Sequence, residues 1–256
     1  VVTIHDQPNG ININEQCGAL HPQSLIKHVH LHRANIGLAL DGDADRLLVV
    51  DEKGELLDGD EILAICGIDY LKNNRLNKNT LVSTILSNMG LDLSLQKHKG
   101  KVIRTNVGDR HVVTAMRNNG LNLGGEQSGH LIFRDCSTTG DGILAALSLL
   151  EVILENQKPL SELKKVMEKL PQVQKSIRIL GRVPLEEMPE LSKKVSMLNK
   201  DLNPEGRVLF RYSGTELKAR ILVEGSDHKK ITTHLEELAE ITKKNINTYY
   251  EQHHPA

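Results

Sequence analysis

The stretch that most constrains this chain is Ile36 to Glu55, IGLALDGDADRLLVVDEKGE. Asp41, Asp43 and Asp45 occupy alternate positions between two apolar runs that read as buried strands. In extended or tightly turning backbone, side chains two apart share a side. The three carboxylates are therefore expected to converge, with Gly42 and Ala44 keeping the space between them small. Converging carboxylates repel one another unless a cation neutralises them. Oxygen-only donors select a hard ion, Mg²⁺ or Ca²⁺. Arg46, next in line, is a permanent cation and suits a phosphate that bridges metal and guanidinium. Two plainer readings compete. One is a polar turn without metal. The other is an EF-hand, whose ligand spacing Asp41, Asp43, Asp45 and Glu52 match, although Arg46 stands where that loop needs Gly and the flanks read as strands rather than helices.

Composition excludes several classes of function. The chain has 256 residues, enough for a sizeable core and more than one compact unit. A net charge of -1 gives no global field for nucleic acid, and 2% aromatic residues with no Trp argue against base-stacking surfaces. No apolar run approaches the roughly 20 residues that span a bilayer, and no signal peptide opens the chain. Cys17, Cys66 and Cys136 are far apart and odd in number, which suits reduced thiols without a zinc site and a cytoplasmic setting. The first residue is Val1 rather than Met, so a fragment or processed product is expected.

Periodicity predicts an α/β organisation. VVTIH reads as a short strand, and NGININEQCGALHPQ as a turn-rich segment in which Asn and Gly favour left-handed backbone. HPQSLIKHVHLHR reads as a helix, IGLAL as a strand, LLVVDEKGELLDG as a hairpin and GDEILAICGIDYLKNN as an amphipathic helix. Strand TLVSTILS, helix LDLSLQKH, strand KVIRTN and a helix ending at Gly120 follow. LNLGGEQSGHLIF is a strand, a glycine-rich turn and a strand, and Asp141 opens a long apolar helix. A second helix, LSELKKVMEKL, is expected to end at Pro171. Alternating strands and helices imply a mixed or parallel sheet covered on both faces. From about Gln172 two β-rich runs, a charged helix and a closing polar helix mark a smaller α+β domain.

Three further constellations carry chemistry. GGEQSGH sets Glu126, Ser128 and His130 on alternate positions among glycines, where backbone can approach a ligand and a carboxylate with a hydroxyl suits sugar hydroxyls; an ordinary hairpin turn is the alternative. RYSGTE, from Arg211 to Glu216, offers the hydroxyls and N–H groups of Ser213, Gly214 and Thr215 to a phosphate, with charge from Arg211 and Arg220; a surface loop is the alternative. In RTNVGDRHV, Asp109 and Arg110 either hold substrate or cap a helix. The twelve histidines show no H-x-x-x-H zinc pattern beside a carboxylate, the cluster His28, His30 and His32 reads as solvated with metal binding as the alternative, and Ser83 and Ser87 have no His–Asp arrangement beside them.

In this order, PNGININEQCGALHP, LDGDADR, TILSN, RTNVGDR, GGEQSGH and RYSGTE resemble the α-D-phosphohexomutase superfamily over nearly the whole chain. NGININ with the following CG, and the Gln of GEQSGH, resemble its glucosamine-phosphate branch more than the phosphomannomutase and phosphoglucomutase branches. The resemblance implies mixed-sheet α/β domains followed by a smaller α+β domain. Here these are the end of domain two with the metal loop (1–53), domain three with the sugar loop (54–171) and domain four with the phosphate loop (172–256). It implies Mg²⁺ on Asp41, Asp43 and Asp45, a sugar loop with Glu126 and Ser128 and a phosphate loop with Arg211, Ser213, Gly214 and Thr215; beside these, the residues themselves put forward Arg46, Asp109 and Arg110 for catalysis and His130 and Arg220 for substrate contact. Its reaction interconverts hexosamine 6- and 1-phosphates through a phosphoserine and a bisphosphate, in precursor synthesis for the cell wall. A homodimer fits the family; nucleic acid and membrane do not. Two departures lie inside the motifs. Ala44 stands where the family usually has Gly, a mild change if φ there is negative, and Tyr212 stands where Pro is common. No Ser-His-Asn nucleophile motif precedes Asp41, so the chain is expected to lack the phosphoryl-donating serine and to be inactive alone; a phosphosugar-binding remnant is the non-enzymatic alternative.

Overall fold

The apolar runs on either side of the aspartates pair with each other. In the computed structural model, which describes residues 1–253, β1 (Ile36–Leu40) lies antiparallel to β2 (Leu47–Asp51), with Leu40 opposite Leu47. β3 (Leu56–Leu57) completes a three-stranded sheet in the order β1-β2-β3. The acidic turn thus crowns a hairpin in which β2 is buried as expected, whereas β1 is mostly half-buried and Leu38 is exposed. The helix α1 (Gln23–His32) precedes it and packs on β1.

A second sheet has the order β5-β4-β6-β7, from β4 (Thr80–Thr84), β5 (Lys101–Thr105), β6 (Leu123–Gly125) and β7 (Leu131–Phe133). β4 is parallel to β5 and to β6, and β6 and β7 form an antiparallel hairpin. Around it run α2 (Gly59–Lys72), α3 (Met89–Lys97), α4 (Asp109–Asn119) and α5 (Gly142–Asn156). Every residue of α2 from Gly59 to Tyr70 is buried, so this helix is not the amphipathic surface helix that the sequence suggests. It packs against α3, α5, β3 and β6 at once, and a helix surrounded in this way needs apolar residues all round. Its start is fixed by a capping box: Asp58 Oδ1 accepts from Asp60 N (3.1 Å) and Glu61 N (3.2 Å), and Glu61 Oε2 accepts from Asp58 N (3.0 Å).

Two other expectations are corrected. VVTIH forms no strand: Val1 and Val2 are exposed, and no neighbouring strand supplies the ladder that would hold it. LSELKKVMEKL is α-helical only as α6 (Leu160–Leu163), followed by a 3₁₀ turn at Lys164–Val166. Tertiary contacts shape that segment. Lys164 Nζ donates to the buried Asp51 at 2.7 Å, and Ser161 N donates to Glu52 Oε2 at 3.3 Å. Burial pushes the Asp51 carboxyl up, but Lys164 and the N–H groups of Glu55 and Lys53 outweigh it and hold Asp51 below its usual range.

The chain divides into two compact units, Val1–Glu168 and the residues from Lys169 onward. The second has a three-stranded antiparallel sheet, β8-β10-β9, made of β8 (Gln172–Arg178), β9 (Arg207–Tyr212) and β10 (Lys218–Glu224). Helices α7 (Pro189–Leu202) and α8 (His228–His253) cover it. Its core includes Ile177, Leu191, Leu198, Ile221, Val223, Ile231 and Leu238. Among the described residues no helix is long and apolar enough to cross a membrane.

Candidate active site

The acidic turn is short and closed. Ala44 N donates to Asp41 O at 3.1 Å, and Gly142 N, at the start of α5, donates to Ala44 O at 2.9 Å. A Cβ on Gly142 would fall 2.8 Å from Arg46 O and 2.9 Å from Ala44 O, so glycine is what lets α5 reach the turn. On the other side Gly18, at φ +76°, lies against Leu40 O. Asn14 and Gln16 are also left-handed, as expected of that turn-rich segment.

The three carboxylates do not converge. Asp41 Oδ1 accepts from Arg46 N at 3.2 Å, and its Oδ2 lies 3.7 Å from Arg46 Nε. Asp45 turns toward His130, 3.1 Å from its Nδ1. Asp43 is exposed. Among the described residues no group of three or more His, Cys, Asp and Glu side chains is gathered as for a metal. The reason is electrostatic: like charges on one turn separate, with Asp41 and Asp45 taking nearby donors and Asp43 turning to solvent. Ala44 also departs from expectation, because its φ is +59° rather than negative. That left-handed backbone costs a non-glycine residue about 1 kcal/mol. The flanking elements are the strands β1 and β2, which removes the EF-hand reading.

The glycine-rich loop sits directly beside this turn. Glu126 N donates to His130 O and Gly129 N to Glu126 O, both at 3.0 Å, closing the β6–β7 hairpin. Leu47 N donates to Gly129 O, and Gly59 N to Gln127 O, again at 3.0 Å. Gly129 has φ +89°, and a Cβ there would come within 2.2 Å of Leu47 O. The Glu126 side chain accepts from Gly108 N at 2.9 Å, which ties the loop to the segment before α4. Asp109 and Arg110 open α4, both exposed, and Ser128 is exposed at the loop tip. The His130 ring is 4% exposed and faces Asp45, so it braces the acidic turn. The structure therefore brings Asp41–Arg46, Glu126–His130 and Gly108–Arg110 into one neighbourhood.

Beneath it lies a buried polar chain. Ser83 Oγ donates to Gly125 O at 3.0 Å and also meets Ser87 Oγ. Asp60 Oδ2 accepts from Asn88 N at 2.8 Å, while its Oδ1 is buried without a partner. Burial, reinforced by Asp58, pushes the Asp60 carboxyl up to about 7.

The RYSGTE loop belongs to the second unit, at the turn between β9 and β10. The register sets Arg207 opposite Glu224 and Arg211 opposite Arg220. The first couple is an ion pair, 2.8 Å from Arg207 Nε to Glu224 Oε2. The second is two like charges on one face, an arrangement that favours an anion between them. Burial, and then Arg220, lower the Arg211 guanidinium from its usual value. Arg220 Nη2 lies 3.4 Å from both Ser213 Oγ and Glu216 Oε2, and its Nε is buried without a partner. Lys218 Nζ donates to Glu216 Oε1 at 2.6 Å. Gly214 and Thr215 are exposed, whereas Ser213 is buried. Tyr212 is anchored through its hydroxyl: it donates to Val183 O at 2.6 Å and accepts from Val183 N at 3.2 Å.

Sequence reasoning missed Arg182, which donates to Ser213 O and Gly214 O. It lies between Gly181 and Val183, in no motif, and nothing in a single sequence ties it to a loop some thirty residues on. It also missed Asp60, which reads as an ordinary first-turn acid of a helix.

Two family models match the chain: phosphoglucomutase/phosphomannomutase α/β/α domain III over residues 58–170, and the C-terminal domain of the same family over residues 149–241. A phosphoglucosamine mutase of Syntrophotalea carbinolica is 51% identical over 246 residues, which cover 96% of this chain and 54% of the relative. That of Geotalea uraniireducens is 50% identical with the same coverage. The chain thus spans about half the length of the curated relatives it matches. Among solved structures, an N-acetylphosphoglucosamine mutase of Aspergillus fumigatus aligns with a TM-score of 0.72 at 22% identity, over 91% of this chain and 53% of that one. A second structure of the Aspergillus enzyme, in complex with GlcNAc-6P and magnesium, aligns with a TM-score of 0.69 at 21% identity, over 91% and 54%.

Proposed function

The chain belongs to the phosphoglucomutase/phosphomannomutase family, within the α-D-phosphohexomutases, and we propose that it is the C-terminal part of a mutase interconverting glucosamine 6-phosphate and glucosamine 1-phosphate. The observation that carries the proposal is the direct junction of acidic turn and glycine loop, through Leu47 N to Gly129 O and Asp45 to His130. A hard cation and a sugar ring would then share one neighbourhood.

The donor set fits Mg²⁺ by its chemistry. Asp41, Asp43 and Asp45 offer only oxygen, and Asp43 is exposed. These three residues would hold the ion, with Arg46 and His130 releasing Asp41 and Asp45. Bound there, Mg²⁺ supplies charge neutralisation to a transferring phosphoryl group. Substrate binding and orientation fall to the chain itself. Glu126 and Ser128 orient the ring hydroxyls. Arg46, Asp109 and Arg110 lie around the reacting phosphate. Arg211, Ser213, Gly214, Thr215 and Arg220 grip the phosphate that is not reacting, and carry the charge that excludes a neutral sugar. The phosphoryl donor, a phosphoserine, comes from outside these residues, and a sugar bisphosphate is the intermediate. The setting is synthesis of cell-wall amino-sugar precursors in the cytoplasm.

The test is a coupled mutase assay with Mg²⁺ and a catalytic amount of hexose bisphosphate. This chain is assayed alone and mixed with a polypeptide matching the first half of a curated relative. Turnover of glucosamine 6-phosphate is expected only in the mixture, and faster than turnover of glucose or mannose phosphates. Turnover by the chain alone sinks the expectation of inactivity. A mixture that prefers mannose or glucose phosphate moves the protein to another branch of the family.

A further inference from the structure

The loop from Tyr212 to Leu217 is held from behind by the segment Ile179–Val183, which follows β8. Three ties join them. Ile179 N donates to Leu217 O at 3.2 Å. Tyr212 exchanges two hydrogen bonds with the backbone of Val183. Between these, one nitrogen of Arg182, Nη2, donates to Ser213 O at 2.7 Å and to Gly214 O at 3.0 Å. The segment is seated in turn on α8: a Cβ on Gly181 would collide with the Tyr250 hydroxyl.

Peptide geometry gives this clamp a consequence. A trans peptide is planar, with its C=O and N–H pointing in opposite directions. Two successive carbonyls drawn to one guanidinium therefore turn the N–H groups of the same two peptides, those of Gly214 and Thr215, toward the opposite face. Neither N–H donates to another backbone group among the described residues. Successive N–H groups presented together form an anion-binding concavity. Left to itself, an exposed loop of Ser, Gly and Thr would sample many peptide orientations, and ordering it on binding would weaken the affinity.

We propose that Arg182 is a positioning residue for phosphate: by holding the carbonyls of Ser213 and Gly214 it aims the amides of Gly214 and Thr215 at the ligand. The inference rests on reading this loop as the phosphate grip. It also accounts for Tyr212. Where proline would stiffen the loop through its ring, this chain stiffens it through a phenol bonded to the residue next to Arg182.

The experiment titrates inorganic phosphate into the ¹⁵N-labelled 256-residue chain and follows the amide signals of Gly214 and Thr215. In the unaltered chain both signals are expected to shift together. Arg182→Met should weaken binding about tenfold, the value of roughly one hydrogen bond's worth of preorganisation. Its thermal midpoint should stay close to that of the unaltered chain, and Arg182→Lys should recover most of the affinity. The ratio between the unaltered chain and Arg182→Met should persist at high salt, where a through-space charge effect would be screened. If Arg182→Met binds phosphate as well as the unaltered chain while Arg211→Ala does not, the positioning role is wrong and the phosphate loop stands. If the ratio vanishes at high salt, Arg182 acts only as charge, and the proposal is overturned. If phosphate moves neither amide in the unaltered chain, the loop reading and the proposal fail together.

Discussion

In the turn from Asp41 to Asp45 two of the three carboxylates have turned to separate partners, Arg46 and His130; in the loop from Tyr212 to Leu217 two successive carbonyls are drawn to a single guanidinium. Both loops join two antiparallel strands and gather charge: three carboxylates in the first, and Arg211 with Arg220 beside the second, where Glu216 meets Arg220 and Lys218. They differ in what supports them. Besides the backbone tie from Gly142 N to Ala44 O, the acidic turn is held through its charged groups, Asp41 by Arg46 and Asp45 by His130, so a cation there would compete with both partners. The basic loop is supported through its backbone, by Arg182 and Tyr212, which leaves Arg211 and the Gly214 and Thr215 amides to a ligand. Carboxylates held this way must leave their partners before they could meet a cation, whereas a loop held through its carbonyls presents its N–H groups beforehand. The β9–β10 pair makes the same contrast within itself, with Arg207 satisfied by Glu224 at one end and Arg211 facing Arg220 at the other.

The comparison can be broken most severely at the seat of the acidic turn. Gly129→Ala would place a methyl 2.2 Å from Leu47 O, on backbone with φ +89°. A loss of about 3 kcal/mol or more is expected, from overlap with rigid backbone and from left-handed strain, read as the denaturant midpoint of the first unit. The second unit's phosphate titration should be unchanged.

Asp60 tests whether the acidic unit stores uncompensated charge. Its folded value of about 7 lies above the ordinary carboxyl value of 3.8. Between those values the folded chain holds a proton that the unfolded chain has lost, so stability should fall as pH rises from about 4 to about 7 and level off beyond. Asp60→Asn keeps an acceptor for Asn88 N and removes the ionisation. It is expected to flatten that slope and to stabilise the chain at pH 8 by about 2 kcal/mol, measured by chemical denaturation across pH. An unchanged slope would place the titrating group elsewhere.

On the basic side, Arg211→Ala should weaken phosphate binding by about 1.5–3 kcal/mol, the range for a charge-assisted hydrogen bond, with little change in melting temperature. The loss should shrink as ionic strength rises. Ala44→Gly is the smallest change. At φ +59° glycine relieves a strain that alanine bears, and a net gain of about 0.5 kcal/mol is expected after glycine's greater unfolded-state freedom is subtracted. A loss of stability on that substitution would contradict the left-handed turn.

Much of this molecule was legible from residue order alone. The apolar run of β1, the long apolar α5 with Asp141 at its cap and the stop at Gly120 are local signals, because each depends on neighbours within a turn or two. The three motif loops were legible for the same reason, since each is contiguous. Elements that depend on distant partners were not. VVTIH has strand composition but no strand to pair with, and α2 has charged residues in its sequence yet is buried on every side because α3, α5 and the sheet close around it.

Residue order alone sets the chemistry on offer: three carboxylates at alternate positions, a glycine loop with Glu126 and Ser128, and an arginine-flanked Ser-Gly-Thr loop. The tertiary structure decided what each group faces. It set His130 against Asp45, gave Ala44 a left-handed backbone, left Asp60 buried with one oxygen unpaired and brought Arg182 under the carbonyls of Ser213 and Gly214. The physical reason is that residue type fixes charge and hydrogen-bonding capacity, whereas burial and partners are properties of three-dimensional proximity, which chain order specifies only through the completed fold.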